Sequence, residues 1–434
     1  MASAVPNTCV RWMWKANSDP FSDSEPARWE LYSDVENRII EDAFQAGQSH
    51  AVLDTYSINF KRGIQILNYD GKKQRPIKRE IINKADQPPR KERFTFTPID
   101  PERPFAGLYG WISPFIRGAA KELNITKDQL PSKDEKFVPI IVERAATGII
   151  EEGKKIGKQR EAEKMAEMLT TTKILGMKEV WKCCARLYSM ESFLYRKLNE
   201  TMRLIGTQQH EQEWRSNIHT LGPFCLLLWD YPFDNKSTEP GTMFYRGANL
   251  SDQSISVFKK DCLQKEDKTK RSFPAFTSCS RNRQIAELYG NVLFIMTVKY
   301  AFTVDITPFS QYPDEEEELL SPGVCFTVER VESKESKYII YLNLIQQYSQ
   351  ADRLEINDRP PNNDLTFDND NRLSRLGFGD HLNRIAAVLN DNDGDDINIY
   401  STALDDLTLD FNLLGCALPD GDPDRFRDGS DRDW

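Results

Sequence analysis

Tyr245-Arg246-Gly247, Ser278-Cys279-Ser280 and Glu315-Glu316-Glu317-Glu318-Leu319-Leu320 occur in that order in the 434-residue chain. The first ends one strand-like stretch in an arginine, the second ends another in a serine cluster, and the third leads carboxylates into a third strand. Any one of them alone is commonplace: an arginine at a strand end pairs with an acid, serines make turns, and glutamate runs sit in solvated loops. Taken jointly they can build one site. A guanidinium pairs with pyrophosphate through charge-assisted hydrogen bonds. Serine hydroxyls can orient a sugar, and carboxylates beside a forming cation stabilise oxocarbenium character, the logic of glycoside hydrolysis.

Composition permits such a site in a large, folded chain. A hydrophobic content of 39% with 11% aromatics is that of a globular protein of two or three domains. No segment approaches the roughly 20 apolar residues that span a bilayer; the longest candidate is Phe224 to Trp229. Met1 to Arg11 lacks the basic region and apolar core of a secretory signal. The eight cysteines form no CxxC and no Cys/His metal spacing. The expectation is a reduced, cytoplasmic or nuclear protein that is not secreted and uses no metal. Cys183-Cys184 falls in a helical pattern and reads as small buried hydrophobes.

The net charge of −10 conceals an uneven distribution. Residues 350–434 carry 20 Asp/Glu against 8 Arg and no Lys, so the excess of acid lies there and the glutamate run does not belong to a generally acidic body. Within that body, residues 60–94 hold 11 Lys/Arg against 4 Asp/Glu, which suggests a polyanionic ligand.

Along the chain, Trp12-Met13-Trp14 and Trp29-Glu30-Leu31-Tyr32 alternate like strands rich in aromatics. Val35 to Ala46 has apolar residues on one helical face, and Gly47 stops it. Strand-like runs follow at Tyr56–Phe60 and Ile64–Leu67; the turn Asn68-Tyr69-Asp70-Gly71 then leads into the basic strand Arg75–Arg79. This order resembles the WWE domain, named for two tryptophans and a glutamate, which here would be Trp12 or Trp14, Trp29 and Glu41. The resemblance implies a half-barrel packed on one helix over residues 5–82. It also implies an ADP-ribose ligand held by Tyr32, Gln65 and Arg75, with Arg79 nearby: an aromatic face stacks a base, an amide reads its edge and guanidinium groups pair with phosphates. Where some poly-ADP-ribose readers have a further arginine just after the tyrosine, this chain has Asp34-Val35.

Residues 83–135, with scattered prolines and no sustained period, read as a linker partly ordered around Phe105 to Phe115. From 136 the pattern is helical: Glu151 to Met168 is a charged, solvated helix, and Leu187, Met190, Leu194, Leu198, Met202 and Ile205 form a buried stripe. Between 240 and 347 strands dominate, at Thr242–Tyr245, Phe273–Thr277, Val292–Val298, Val324–Glu329 and Tyr338–Leu344. A helical lobe followed by strands indicates an α+β domain, here 136–348. No GxGxxG opens a helix after a strand, so a Rossmann cofactor site is not supported. Residues 349–434 read as a largely disordered acidic Asn/Asp-rich tail. Asn390 to Asp396 does not make an EF-hand, because Leu389 and Tyr400 stand where acids are required.

In this context the three opening segments resemble the Arg-Ser-Glu signature of arginine-specific mono-ADP-ribosyltransferases, and Tyr188 onward through Tyr195, Asn199 and Arg203 resembles the helix before their catalytic sheet. The resemblance implies a helical lobe and two packed β-sheets around an NAD cleft. NAD is implied as the substrate. Carried over residue by residue, Glu318 is the central catalytic carboxylate and Glu316 the acceptor-side one. Arg246 anchors the pyrophosphate, the Gly247 backbone holds the nicotinamide amide, Ser278 orients Glu318 and the ribose, and Ser280 completes the cofactor contacts. The family's Ser-Thr-Ser is Ser278-Cys279-Ser280 here. Glu315 and Glu317 form an alternative pair; the Leu319-Leu320 that follows favours 316 and 318. Phe309 and Tyr312 lie where a loop aromatic meets the acceptor or packs.

Poly-ADP-ribose polymerases use a His-Tyr-Glu triad instead, and none of His50, His210, His219 and His381 occupies the Arg246 position. The expected activity is therefore transfer of one ADP-ribose from NAD to a protein arginine, with the WWE domain recruiting ADP-ribosylated partners. The readings left open beside it are an NAD glycohydrolase and a WWE-based reader or ubiquitin-signalling adaptor with a vestigial transferase. No membrane or direct nucleic-acid partner is expected.

Overall fold

In the computed structural model of the chain, the residues described are 8–83, 87, 90, 113–206, 208–233, 237–264, 268–334 and 337–345. The acidic tail and the Phe105 region of the expected linker lie outside them.

The N-terminal domain follows the predicted order. Strands β1 (Thr8–Lys15) and β2 (Trp29–Leu31) precede helix α1 (Asp34–Gln45), and β3 (His50–Val52), β4 (Tyr56–Asn59), β5 (Ile64–Leu67) and β6 (Asp70–Asn83) follow. They form one antiparallel sheet in the order β2-β1-β6-β5-β4-β3. Helix α1 begins at a capping box in which Ser33 accepts from the Glu36 backbone and Glu36 reaches back to Ser33, satisfying two N-terminal donors at once. Its apolar face buries Val35, Ile40 and Ala43, and Ile40 packs with Trp12, Tyr32, Leu53 and Ile58.

Trp12 donates its indole N–H to Glu41 (2.8 Å), and Arg79 forks onto both Glu41 oxygens at 2.9 and 2.7 Å. Burial raises the Glu41 carboxyl, but hydrogen bonds from Arg79, Gln45 and Trp12 outweigh it and hold it at about 2. A carboxyl depressed on folding contributes stability that is present above its ordinary value of 4.5 and is lost as pH falls toward about 2. Glu41→Gln is therefore expected to lower the melting temperature by a few degrees at pH 7 and to flatten the acid limb of a Tm-against-pH curve between those values. Circular-dichroism melts test this; parallel acid limbs for the two proteins would refute it.

The helical lobe starts earlier than the linker reading placed it. Helix α2 (Pro114–Glu122) buries Phe115, Ile116 and Ala119 in the same core as α3 (Val138–Lys155), α4 (Gln159–Thr170), α5 (Met177–Ser189), α6 (Phe193–Arg203), α7 (Glu211–Ser216) and α8 (Ile218–Trp229). The prolines misled: Pro114 sits at the first helical position, where its missing N–H costs nothing. Helix α8 is buried along its length except at His219 and forms the hub. Gly148 lets α3 touch it, since a Cβ there would lie 1.9 Å from the Thr220 carbonyl oxygen. The predicted stripe from Leu187 to Ile205 is buried throughout, yet it spans two helices broken at Met190–Ser192.

The C-terminal strands are β7 (Met243–Ala248), β8 (Arg271–Ser272), β9 (Thr277–Ser280), β10 (Val292–Tyr300), β11 (Thr303–Asp305), β12 (Glu317–Leu320), β13 (Cys325–Lys334) and β14 (Lys337–Ile345), with helices α9 (Asp252–Leu263) and α10 (Arg283–Glu287) between them. The expected strand at Phe273–Thr277 is displaced to β9, because Phe273, Ala275 and Phe276 serve as core side chains of the approach. The strand order is β11-β12-β9-β7-β10-β14-β13-β8. All eight strands belong to one sheet, whose pairing is thinnest between β9 and β7, where a single register pair, Tyr245 with Ser280, joins them. One half packs on the helical lobe through Leu319, Ala275 and Phe276; the other builds its own core around Phe244, Phe294 and Phe326. The described residues are thus α+β, and no helix among them is long and apolar enough to cross a membrane.

Candidate active site

The candidate site residues Arg246, Gly247, Ser278 and Ser280 lie on β7 and β9, on either side of their narrow join. Arg246, 3% exposed, donates from its guanidinium to the Ser278 carbonyl and lines a pocket with Ser278, Tyr188, Tyr195, Asn199 and Arg203. The last three come from α6 or its start, on the helical lobe. The Asn199 amide donates to the Tyr188 hydroxyl (2.8 Å), while its side-chain oxygen, buried beside Arg246, has no hydrogen-bond partner among the described residues. A buried acceptor without a donor is costly and fits a ligand amide or hydroxyl. Gly247 lies under α10: a Cβ would meet the Ala286 and Tyr289 carbonyl oxygens at 2.4 and 2.6 Å, so only glycine keeps its backbone at the cleft.

Ser280 joins β9 to the glutamate run: its hydroxyl donates to the Glu315 carbonyl (2.7 Å) and accepts from the Asn282 N–H (2.9 Å). The run itself is not uniform. Glu315 ends a short 3-10 turn, Glu316 is exposed in the left-handed region (φ 45°), and Glu317 opens β12. A non-glycine residue there is uncommon and marks a locally constrained backbone.

Register then sorts the carboxylates. In the antiparallel β9–β12 ladder Glu317 lies opposite Ser280 and Leu319 opposite Ser278, while Glu318 lies opposite Cys279. Paired residues share a face. Glu317 therefore stands on the Ser278–Ser280 face, and Glu318 stands on the reverse face with Cys279. There Glu318 accepts from the Thr303 hydroxyl and pairs with Arg281 at 2.6 Å, and burial raises its carboxyl despite both. The structure places Arg246 and Ser278 in one pocket, ties Ser280 to the Glu315 carbonyl and puts Glu317 on the Ser278–Ser280 face; Glu318 is on the reverse face and Glu316 is exposed in the turn before β12. The Leu-Leu cue could not decide this, since both leucines are buried, Leu319 against the helical lobe and Leu320 in the opposite core.

A residue with no sequence signal completes the cluster. Arg90, from between the two domains, is buried to 3% exposure with Glu315 (3%) and Glu317 (0%). In the sequence it is one of the basic residues of 60–94. Tyr312 stacks on it, 4.4 Å from guanidinium to ring centroid, and donates its hydroxyl to Asp34 at 2.9 Å. Asp34 also accepts from the Glu191 N–H (2.6 Å), so the acid that follows the N-terminal domain's Tyr32-Ser33 is spent on docking to the second domain. Phe309 packs edge-on against Trp181 in the helical core.

In the N-terminal domain, Tyr32 donates to the Gln65 side chain (2.6 Å), Gln65 lies opposite Arg75 in the β5–β6 ladder, and Arg75 donates to the Lys15 and Asn17 carbonyls at 3.0 and 2.8 Å. These three are together. Arg79 is not with them; it is held by Glu41 on the Trp12 side. No cluster of His, Cys, Asp and Glu suited to a metal occurs among the described residues.

The profile of the family described as NAD:arginine ADP-ribosyltransferase matches residues 181–350, and that of the WWE domain matches residues 10–79. The chain carries a WWE domain followed by an ADP-ribosyltransferase domain, and the match supports ADP-ribosyl transfer from NAD. Among solved structures, the ADP-ribosyltransferase HopU1 of Pseudomonas syringae pv. Tomato DC3000 is 21% identical, with a TM-score of 0.32 over 38% of this chain and 77% of that one. The type III effector XopAI of Xanthomonas axonopodis pv. citri is 16% identical, with a TM-score of 0.35 over 53% and 96%. The C3 exoenzyme of Clostridium limosum is 15% identical, with a TM-score of 0.30 over 38% and 84%. No curated protein matches the chain.

Proposed function

We propose that the chain transfers single ADP-ribose units from NAD to arginine side chains of proteins, and that Glu317 is its central carboxylate with Glu315 on the acceptor side. The observation that carries this reading is the pair itself: two carboxylates, both buried, on the Ser278–Ser280 face, closed around a guanidinium. Arg246 would hold the pyrophosphate, as a rigid fork of donors suits it to do. The Asn199 oxygen and the Gly247 backbone would meet the nicotinamide end. Glu317 would stabilise the ribosyl cation as the bond from C1′ to nicotinamide breaks. Glu315 would receive the proton that an arginine must lose before its nitrogen bonds to C1′, because a guanidinium is not nucleophilic while protonated.

The WWE domain would recruit ADP-ribosylated partners through Tyr32, Gln65 and Arg75, a reading supported by their convergence and by the release of Asp34 to interdomain contact. The deciding experiment incubates the full chain with NAD and agmatine, a small guanidine, and identifies products by mass spectrometry. ADP-ribosyl-agmatine is expected. Free ADP-ribose alone would make the protein a glycohydrolase, and intact NAD would leave only the reader.

A further inference from the structure

We infer that Arg90 is an internal pseudo-acceptor: its guanidinium fills the acceptor subsite formed by Glu315, Glu317 and Tyr312 and keeps external arginines out. The inference rests on the arginine reading of the site just given. Four observations carry it.

The first is completeness. The Arg90 Nε lies 3.2 and 3.1 Å from the two Glu315 oxygens, one terminal nitrogen reaches Glu315 and, at 3.0 Å, Glu317, and the other reaches the Ser189 carbonyl. The backbone N–H donates to Glu315 as well, at 3.0 Å. With the Tyr312 ring on its face, the group has the polar edge and aromatic face that guanidinium recognition uses. The second is origin. Arg90 belongs neither to the glutamate run nor to the helical lobe but to the segment that follows the WWE domain, 225 residues before Glu315. A guanidinium delivered from outside the transferase domain stands where that of another protein would stand.

The third is energetic. Burying charges costs several kcal/mol per ion, and apolar side chains fill space as well or better. Two carboxylates kept buried in one place suggest a chemical purpose, and one guanidinium shields them while they wait. The fourth is reactivity. The two carboxylates raise the Arg90 value far above its ordinary range even against burial, so it stays protonated. It therefore cannot attack C1′, and its charge opposes the developing ribosyl cation. Arg90 is a competitor and not an acceptor.

The test compares wild type, Arg90→Ala, Arg90→Lys and Arg90→Ala/Glu315→Gln, in the full chain, for agmatine binding by calorimetry and for ADP-ribosyl-agmatine formation from NAD. A subsite occupied nine times in ten weakens apparent affinity for an external ligand about tenfold. Arg90→Ala should accordingly bind agmatine at least about tenfold more tightly than wild type and form product faster by a similar factor. Arg90→Lys, which keeps the charge but lacks the fork, should fall between them, and serves alone if the alanine variant melts. The added Glu315→Gln should abolish the gain. Equal agmatine binding by wild type and the folded Arg90 variants would overturn the inference, as would ADP-ribose found on Arg90 in wild type. So would a folded Arg90→Ala that cleaves less NAD and binds no agmatine, since Arg90 would then be positioning the carboxylates. Failure of every protein to cleave NAD would sink the proposed function alone, because the binding comparison needs no turnover.

Discussion

Glu317→Gln is expected to slow nicotinamide release from NAD by about 10²–10⁴-fold, the range in which preorganised electrostatic and proton-transfer groups act. Glu318→Gln is expected to stay within about threefold of wild type, since the removal of a group outside the reacting region costs stability first. The two side chains are adjacent and both buried, so burial does not separate them. Facing does: Glu317 is opposite Ser280, and Glu318 is opposite Cys279 and engaged by Thr303 and Arg281. Glutamine in place of Glu318 keeps an oxygen for Thr303 but loses the pair with Arg281, whose side chain is 45% exposed, so a small fall in melting temperature should accompany retained activity. Chromatographic assay of nicotinamide, with Tm measured on the same samples, separates the outcomes. Activity lost in the 318 variant and kept in the 317 variant would return the pair to 316 and 318.

Arg246→Lys is expected to raise KM for NAD by about 10–100-fold, the loss of a hydrogen bond to a charged group, with a smaller effect on kcat. Lysine keeps the charge but not the planar fork, and a buried pyrophosphate contact depends on that geometry. Arg246 is already fixed by the Ser278 carbonyl, so lysine also loses its orientation. Calorimetric titration with NAD checks this; unchanged affinity would remove Arg246 from the pyrophosphate.

Much of this molecule was legible in its sequence because the signals were local. Aromatic alternation around Trp12 and Trp29, the helix stopped by Gly47 and the basic strand to Arg79 each follow from side-chain period and turn chemistry. Arg246, Gly247 and Ser278 were legible too, since Arg246-Gly247 lies toward the end of β7, Ser278 lies in β9, and the two strands meet at Tyr245 and Ser280. Helix α2 was obscured by a proline whose role depends on whether it starts a helix or interrupts one. The WWE resemblance set Arg79 near Arg75, but Glu41 of helix α1 holds its guanidinium.

By itself, then, the sequence determined the two-domain α+β plan and the presence of an arginine, a serine cluster and glutamates in the order that an NAD-cleaving site requires. Tertiary structure alone decided which glutamates face that site and what meets them. Four consecutive glutamates carry no period, and both flanking leucines are buried, so only the pairing of β12 with β9 and the left-handed turn at Glu316 select Glu315 and Glu317. Arg90 reaches them from 225 residues away, a distance over which no local pattern acts and only the packing of the whole chain can bring charges together.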